Sequence, residues 1–410
     1  MKKLLLILLP LALLNAESLK NLIEFATSNN QLIISKEYSQ KSKQKELDSK
    51  KSAYYPTVDV GAYYNSVDER DLMRPGSTYS GFAKLAYDIY DGGSRSSLVT
   101  QKEQEFQASS FDVKDLKNSI ALSIVEHFFN IKSLEATLAS RVDAQKSLKV
   151  QLNRMSAFYD AHLATKDDLD RLQASYDTNI YNMESIKLQI LTLKLKLSLF
   201  VGKQIVTLDT SKFNENLQRE FELIDSINSL KSSKKALKSF SESVDSIYYP
   251  QLRIEDTYSL YGYGDTDFFH PEGVDKQNKI MLTANFRLYD NSAIANSKQA
   301  IAINSQALGE QIKYKTLEQK MNYKLAIATI ETSKIKIKSA LSALVSASSA
   351  FRTIEKKYNA GIVDYVVYLN ALVSKTNALS LYETSLNDLQ IAYARYYYFT
   401  GKQIEEFLSE

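Results

Sequence analysis

Two hydrophobic periods alternate along this chain. In residues 57–64 Val58, Val60, Ala62 and Tyr64 alternate with Thr57, Asp59, Gly61 and Tyr63. In 81–90 Gly81, Ala83, Leu85, Tyr87 and Ile89 alternate with Phe82, Lys84, Ala86, Asp88 and Tyr90. A period of two with one apolar face predicts half-buried strands. The pattern returns with Leu252, Ile254, Tyr258 and Leu260, and then with Ile280, Leu282, Ala284, Phe286 and Leu288 opposite Lys279, Thr283, Asn285 and Arg287. Asp256 interrupts the apolar side of the third run. Each run is about ten residues, the length a tilted strand needs to cross a bilayer.

Around the strand pairs the period is helical. One helix is expected over 19–53, ended by Pro56, which cannot continue a helical ladder. Asp91 is a good N-cap for a long helix over 91–159, in which Val113, Ile120, Ile124, Ile131, Leu138 and Met155 keep the three-and-four spacing of coiled-coil packing. Such a helix is about 100 Å long. The return helix, 166–201, is only half that, so half of the long stripe needs another cover. Chain direction supplies it: the helix before the strands lies beside the strand-proximal half, giving two short helices stacked end to end against one long one. The second copy has a helix over 227–247, a strand hairpin over 250–289, a long helix over 290–358 and a return helix over 364–400.

The copies are marked by landmarks. Tyr54-Tyr55-Pro56 returns as Tyr248-Tyr249-Pro250, 194 positions on, while three others return at 199. These are Tyr90-Asp91 as Tyr289-Asp290, Tyr159-Asp160-Ala161 as Tyr358-Asn359-Ala360, and Phe200-Val201-Gly202-Lys203-Gln204 as Phe399-Thr400-Gly401-Lys402-Gln403. Four landmarks in one order mean a duplicated unit. The first repeat is read as 17–204 with its hairpin at 56–90, a mid-height connector as 205–225, the second repeat as 226–403 and a C-terminal tail as 404–410.

Lys2 and Lys3, an apolar stretch over 4–14 and Asn15-Ala16 read as a signal peptide over 1–16. No later segment is apolar enough for a transmembrane helix, so any crossing is made by strands. With 51 basic and 48 acidic residues the chain has no field that recruits nucleic acid. There is no cysteine, and the three histidines are too scattered for a metal site. Asp91-Gly92-Gly93-Ser94 lacks the lysine and spacing of a phosphate loop. No nucleophile, base and orienter set is found, so neither an enzyme nor a cofactor is expected. The 27 tyrosines and absent tryptophan are the compositional anomaly. Tyr54, Tyr55, Tyr87, Tyr248 and Tyr249 collect at one end of the strands, and Tyr63, Tyr64, Tyr79, Tyr258, Tyr261 and Tyr263 at the other, as the two girdles of a barrel in lipid do. Four strands cannot close a barrel, so three or more chains must pool theirs.

These residues resemble the TolC-like outer-membrane efflux family, over nearly the whole mature chain and in both repeats: Tyr-Tyr-Pro before a hairpin, Tyr-Asp into a long helix, and the turns after Tyr159 and Tyr358. The resemblance implies an α+β membrane protein, a homotrimer with one twelve-stranded barrel in the outer membrane of a Gram-negative bacterium and a long α-helical coiled-coil barrel in the periplasm. It implies a periplasmic adaptor (membrane fusion protein), an inner-membrane transporter of RND, ABC or MFS type, outer-membrane lipid as surroundings, and export of drugs or other small toxic molecules. Type I protein secretion is the alternative cargo. An envelope-spanning structural coiled coil or adhesin is the rival of another class, disfavoured by the hairpin tips; a soluble periplasmic adaptor is disfavoured by the girdles.

By the same resemblance the turns at Ala161, His162, Leu163 and at Ala360, Gly361, Ile362 dock the adaptor, and Tyr159, Asp168, Tyr358, Asp364, Val367 and Asn370 lie at the narrow end. Asp168 and Tyr358 match residues that hold the closed state through contacts between neighbouring helices. From the residues alone, Thr165 and Asp168 form a capping box. Val367 and Asn370 stand where members often place an acidic pair, so that ring is expected to be less cation-selective unless Asp364 or Asp168 supplies charge. Val363 stands where some carry a locking arginine, and His162 replaces the glycine that Gly361 keeps. Lys84, Asp88, Glu255 and Arg287, of mixed sign, are expected to face the barrel lumen.

Overall fold

The computed structural model describes residues 17–68, 75–215, 217, 220–264 and 274–409. The leader read over 1–16, and His270, lie outside them. The order is α1 (Leu19–Asn29), α2 (Gln31–Ser52), β1 (Thr57–Ser66), β2 (Ser77–Asp91), α3 (Ser94–Asp160), α4 (Lys166–Val201), β3 (Lys212–Phe213), α5 (Asp225–Asp245), β4 (Gln251–Gly264), β5 (Lys276–Asn285), α6 (Ala293–Asn359), α7 (Tyr365–Phe399) and β6 (Leu408–Ser409). The chain forms two compact units. A helical unit takes the chain up to Lys36, then Val113–Asp225 and the chain from Thr316; a sheet unit takes Glu37–Asp112 and Ser226–Lys315.

In the sheet unit the strands pair antiparallel in the order β1-β2-β4-β5. Opposite residues in an antiparallel ladder share a face, so the register assigns every side chain. Val58, Val60, Tyr64, Tyr79, Leu85, Tyr87, Ile254, Tyr258, Ile280 and Leu282 take one face; Asp59, Lys84, Asp88, Arg253, Glu255, Thr257 and Lys279 take the other. Two glycines make room for rings on these faces: a Cβ on Gly61 would meet the Phe82 ring at 2.5 Å, and one on Gly262 the Tyr79 ring at 2.3 Å. Two expectations are corrected. Tyr63, Tyr261 and Tyr263 point to the polar face, not to the girdle, because they lie an odd number of residues from Tyr64 and Tyr258. β5 ends at Asn285, so Phe286, Arg287 and Leu288 are not strand residues and Arg287 joins no ladder.

Within this unit α2 and α5 flank the first part of α3, as the chain-direction argument requires. Gln40 Nε2 donates to Ser110 Oγ at 2.8 Å, and Lys102 bridges Glu46 and Glu105 at 2.8 Å each. The face α5 buries is built of small residues, Ser229, Ser232, Ala236, Ser239 and Ser243, at helical spacing, and Ser229 donates to Asp112 at 2.5 Å. Both long helices are 67 residues and each starts on an aspartate: Asp91 accepts from the N–H groups of Gly93 (3.1 Å) and Arg95 (2.7 Å), and Asp290 from that of Ile294 (2.8 Å). In the first copy Gly92 and Gly93 follow at φ 69° and 87°; in the second, Asn291 and Ser292 adopt φ 54° and 64° without glycine. Backbone geometry is repeated where sequence is not.

In the helical unit the single helix expected over 19–53 is two. Asn30 divides it: its Oδ1 accepts from the N–H of Leu32 (2.8 Å) and Ile33 (3.2 Å), capping α2, while its Nδ2 donates to Phe200 O at 2.7 Å. α4 ends there, at a left-handed Gly202, so α2 begins where α4 stops. Leu19, Leu22, Ile23, Ile33, Ile124, Phe128, Ile131 and Leu197 are fully buried around this junction.

The connector over 205–225 and the C-terminal tail are tied together. β3 pairs with β6, and Glu17 bridges Leu208. The tyrosine-rich end of α7 holds them: the Tyr397 ring stacks on Phe407 at 3.8 Å and its hydroxyl donates to Asn214 O at 2.5 Å. Burial pushes the Tyr396 and Tyr398 phenols up to about 12. The tyrosine bias thus has a second source besides the strands.

Asn30→Ala removes a cap and a tie at once and is expected to destabilise the helical unit by about 1–2 kcal/mol. Urea unfolding of the purified protein followed by circular dichroism measures it, and an unchanged midpoint contradicts the cap's role.

Candidate functional site

Two places collect the residues singled out in the sequence: the α3–α4 and α6–α7 turns in the helical unit, and the polar face of the sheet.

The two turns share one backbone. In the first, Leu163 N–H bonds Phe158 O at 2.8 Å and His162 N–H bonds Tyr159 O at 2.9 Å; in the second, Ile362 N–H bonds Lys357 O at 2.9 Å and Gly361 N–H bonds Tyr358 O at 3.0 Å. This is the Schellman closure of a helix, which needs a left-handed residue. Gly361 supplies it at φ 72°, and His162 adopts φ 60° against the Cβ penalty. The closure throws Leu163 and Ile362 outward, 74 % and 71 % exposed, beside Ala161 and Ala360. Each return helix then starts on a side-chain cap. Thr165 and Asp168 form a complete capping box, at 3.3 and 3.4 Å, and Asp364 accepts from Val367 N–H at 3.0 Å.

Beneath the turns Tyr358 is buried, stacked on Tyr368 at 4.9 Å, in a cluster with Leu148, Met155, Leu172, Phe351 and Tyr365. It is Tyr365, not Tyr358, that lies close enough to Asp168 to act on its carboxyl. Thr165, side chain first, and then Tyr365 hold the Asp168 carboxyl below its ordinary value, against a smaller opposing effect of burial. Arg154 joins the two turns, with its guanidinium over the Phe158 and Tyr358 rings at 5.2 and 5.3 Å and bonded to Asn359 Oδ1 at 3.3 Å. Tyr159, Asp364, Val367 and Asn370 are exposed around this cluster. Arg154, Tyr365 and Tyr368 escaped the sequence reading. The missed signal was their departure from the repeat: Thr353, Lys166 and Leu169 occupy the matching places.

On the sheet, Lys84, Asp88 and Glu255 come together through a residue not singled out, Arg253. Its guanidinium meets Glu255 at 2.9 Å and Asp88 at 3.2 Å, and Lys84 Nζ lies 3.9 Å from Glu255. Lys84, Arg253 and Lys279 balance Asp59, Asp88 and Glu255 along the polar face of the strands. On the other face Tyr64 stacks with Tyr79 at 6.5 Å, and Tyr258 shares that face four positions along the ladder. At the strands' opposite end Arg95, paired with Asp91 at 3.1 Å, lies over the rings of Tyr54 (5.1 Å) and Tyr87 (5.9 Å), and Tyr248 donates to Asp290 at 3.2 Å. Tyr55 and Tyr249 are exposed.

Residues 22–203 match the profile of the outer membrane efflux protein family. The match spans the first repeat, less than half of the chain. The fold extends the likeness to the second repeat. The chain superposes on the outer membrane protein VceC of Vibrio cholerae with a TM-score of 0.83 at 14 % identity, covering 94 % of this chain and 96 % of that one. For the Campylobacter jejuni CmeC outer membrane channel the TM-score is 0.84 at 14 % identity, over 93 % and 85 %. For the open state of the Neisseria gonorrhoeae MtrE outer membrane channel it is 0.80 at 13 %, over 94 % and 89 %. A sequence search among curated proteins returns no match. At these identities the likeness shows a shared fold of long helices and a small sheet.

Two outcomes follow for the two turns. His162→Gly relieves a left-handed side chain and is expected to stabilise the first turn by about 1 kcal/mol, seen as slower hydrogen exchange at the Leu163 amide; faster exchange contradicts it. The Asp168 carboxyl is depressed when folded, so its contribution is complete above the unfolded value of 3.8 and is lost as pH falls through the lower folded value. Exchange at the tip should therefore accelerate on acidification below about pH 4, and Asp168→Asn should flatten that dependence.

Proposed function

We propose that this chain is the exit duct of a tripartite export system, passing drugs or other small toxic molecules from an inner-membrane transporter, through a periplasmic adaptor, to the exterior. One observation carries the reading: the four strands are sorted into an apolar, tyrosine-flanked face and a polar face whose charges cancel, which suits a wall with lipid on one side and water on the other. Lys84, Asp88, Arg253 and Glu255 then line the lumen. The outward Leu163 and Ile362 are the adaptor contacts, and the Asp168–Tyr365 and Arg154–Asn359 links hold the two tips of one chain together in the closed state.

The helical unit supports closure by copies of the same chain. Leu188, Leu191, Leu195 and Leu199 of α4, and Leu317, Met321 and Leu325 of α6, are all more than half exposed at helical spacing. Apolar stripes of this length are unusual on a solitary surface, and two distinct stripes per chain suit the head-to-tail contacts of a closed ring.

Planar-bilayer recording tests the duct. The reconstituted trimer should conduct with little preference between cations and anions, since the lumen charges cancel, and Lys84→Glu should shift the reversal potential toward cation selectivity. Absence of conductance overturns the proposal. Cargo is read in cells: loss of the protein should raise susceptibility to small toxic compounds, whereas unchanged susceptibility with arrested export of a polypeptide moves the assignment to type I secretion.

A further inference from the structure

The three tyrosines that the register moves off the lipid side are the starting point. Tyr63, Ser80 and Tyr261 sit opposite one another on β1, β2 and β4, so a small residue lies between two aromatic ones on the polar face. Adjacent strands are about 4.8 Å apart, which separates the two tyrosine backbones by about 10 Å. Two rings holding a third flat ring between them need about 7 Å. Ser80 lies between the two tyrosines and is covered. It is 4 % exposed, and its hydroxyl has no hydrogen-bond partner. A buried hydroxyl without a partner is uncommon and calls for an explanation.

One wall, Tyr261, is stacked on Tyr263 at 6.5 Å with the planes within 7°, and the Tyr263 hydroxyl donates to Val274 O at 3.2 Å. Tyr63, the other wall, is 48 % exposed. Elsewhere this face carries mainly hydroxyls, amides and paired charges, so the aromatic surface is local to this end of the strands.

We propose that Tyr63, Ser80 and Tyr261 form a binding slot for planar aromatic solutes with a hydrogen-bonding edge. The two rings stack on the faces of the solute, and the Ser80 hydroxyl meets the polar edge. Stacking tolerates many ring systems, so the slot favours a chemical class over a single compound. The inference rests on the duct reading, since the polar face must border water that carries the solute.

The probe is N-acetyltryptophanamide, which is neutral, polar enough to stay out of lipid and has an indole N–H; the chain has no tryptophan of its own, so the fluorescence anisotropy of the probe reports binding directly. The reconstituted trimer should raise the anisotropy saturably. Tyr63→Ser and Tyr261→Ser should each weaken binding about tenfold, and Ser80→Ala about threefold. Tyr64→Ser, one residue away on the apolar face, should leave it unchanged and also controls for general damage to the sheet. Binding that does not saturate, or that Tyr64→Ser weakens as much as Tyr63→Ser, overturns the slot. The reversal potential of Lys84→Glu is read on the same preparation: a shift there with no probe binding removes the slot and keeps the duct, whereas no shift removes the water-facing wall on which both depend.

Discussion

The structure depends on backbone groups that have no partner within one chain. Among the described residues the sheet order β1-β2-β4-β5 leaves the outer edges of β1 and β5 unpaired, and in lipid each unsatisfied N–H or C=O costs several kcal/mol. An open four-stranded sheet with an apolar face cannot persist in a bilayer, and only closure removes its edges. On the proposed duct reading, neighbouring copies supply the missing ladders. The apolar stripes on α4 and α6 place the same demand on the helical part. Strand edges and helix faces therefore both call for a ring.

Much of this was legible because periodicity is a property of local sequence. The period-two runs located all four sheet strands, and the landmarks located both long helices to within three residues of Ser94–Asp160 and Ala293–Asn359. Failures came where a side chain acts at long range. Asn30 reads as an ordinary polar residue inside a helix until Phe200, 170 positions on, presents the carbonyl it bonds. β3 and β6 are two residues each, too short for any period, and exist because Tyr397 and Phe407 stack. Tyr261 and Tyr263 were placed by their position along a strand, without the parity that decides their face. The fourth strand was overextended because Phe286 and Leu288 keep the alternation after the ladder has ended.

The candidate site was only partly legible for a different reason. Asp168, Tyr358 and the turn residues follow from the repeat and the family pattern. The contacts that join the two turns do not, because duplication predicts likeness while these contacts are made of differences. Arg154, Tyr365 and Tyr368 stand where the other copy has Thr353, Lys166 and Leu169. A ring built from three duplicated chains presents six nearly equivalent hairpins, and identical tips would give every neighbouring pair the same contact. Arg154 reaches from the first turn to Asn359 of the second, and Tyr365 reaches back to Asp168, so each chain ties its own two hairpins by links with no counterpart in the reverse sense.

That asymmetry bears on opening. If all six tip contacts were alike, weakening one kind would loosen every hairpin equally. On the proposed duct reading, two kinds of tie let those between chains part while those within a chain persist. The cluster beneath the tips is apolar and well packed, and packed interfaces shift between discrete arrangements more readily than they deform. Leu163 and Ile362 are exposed at the turns above this cluster.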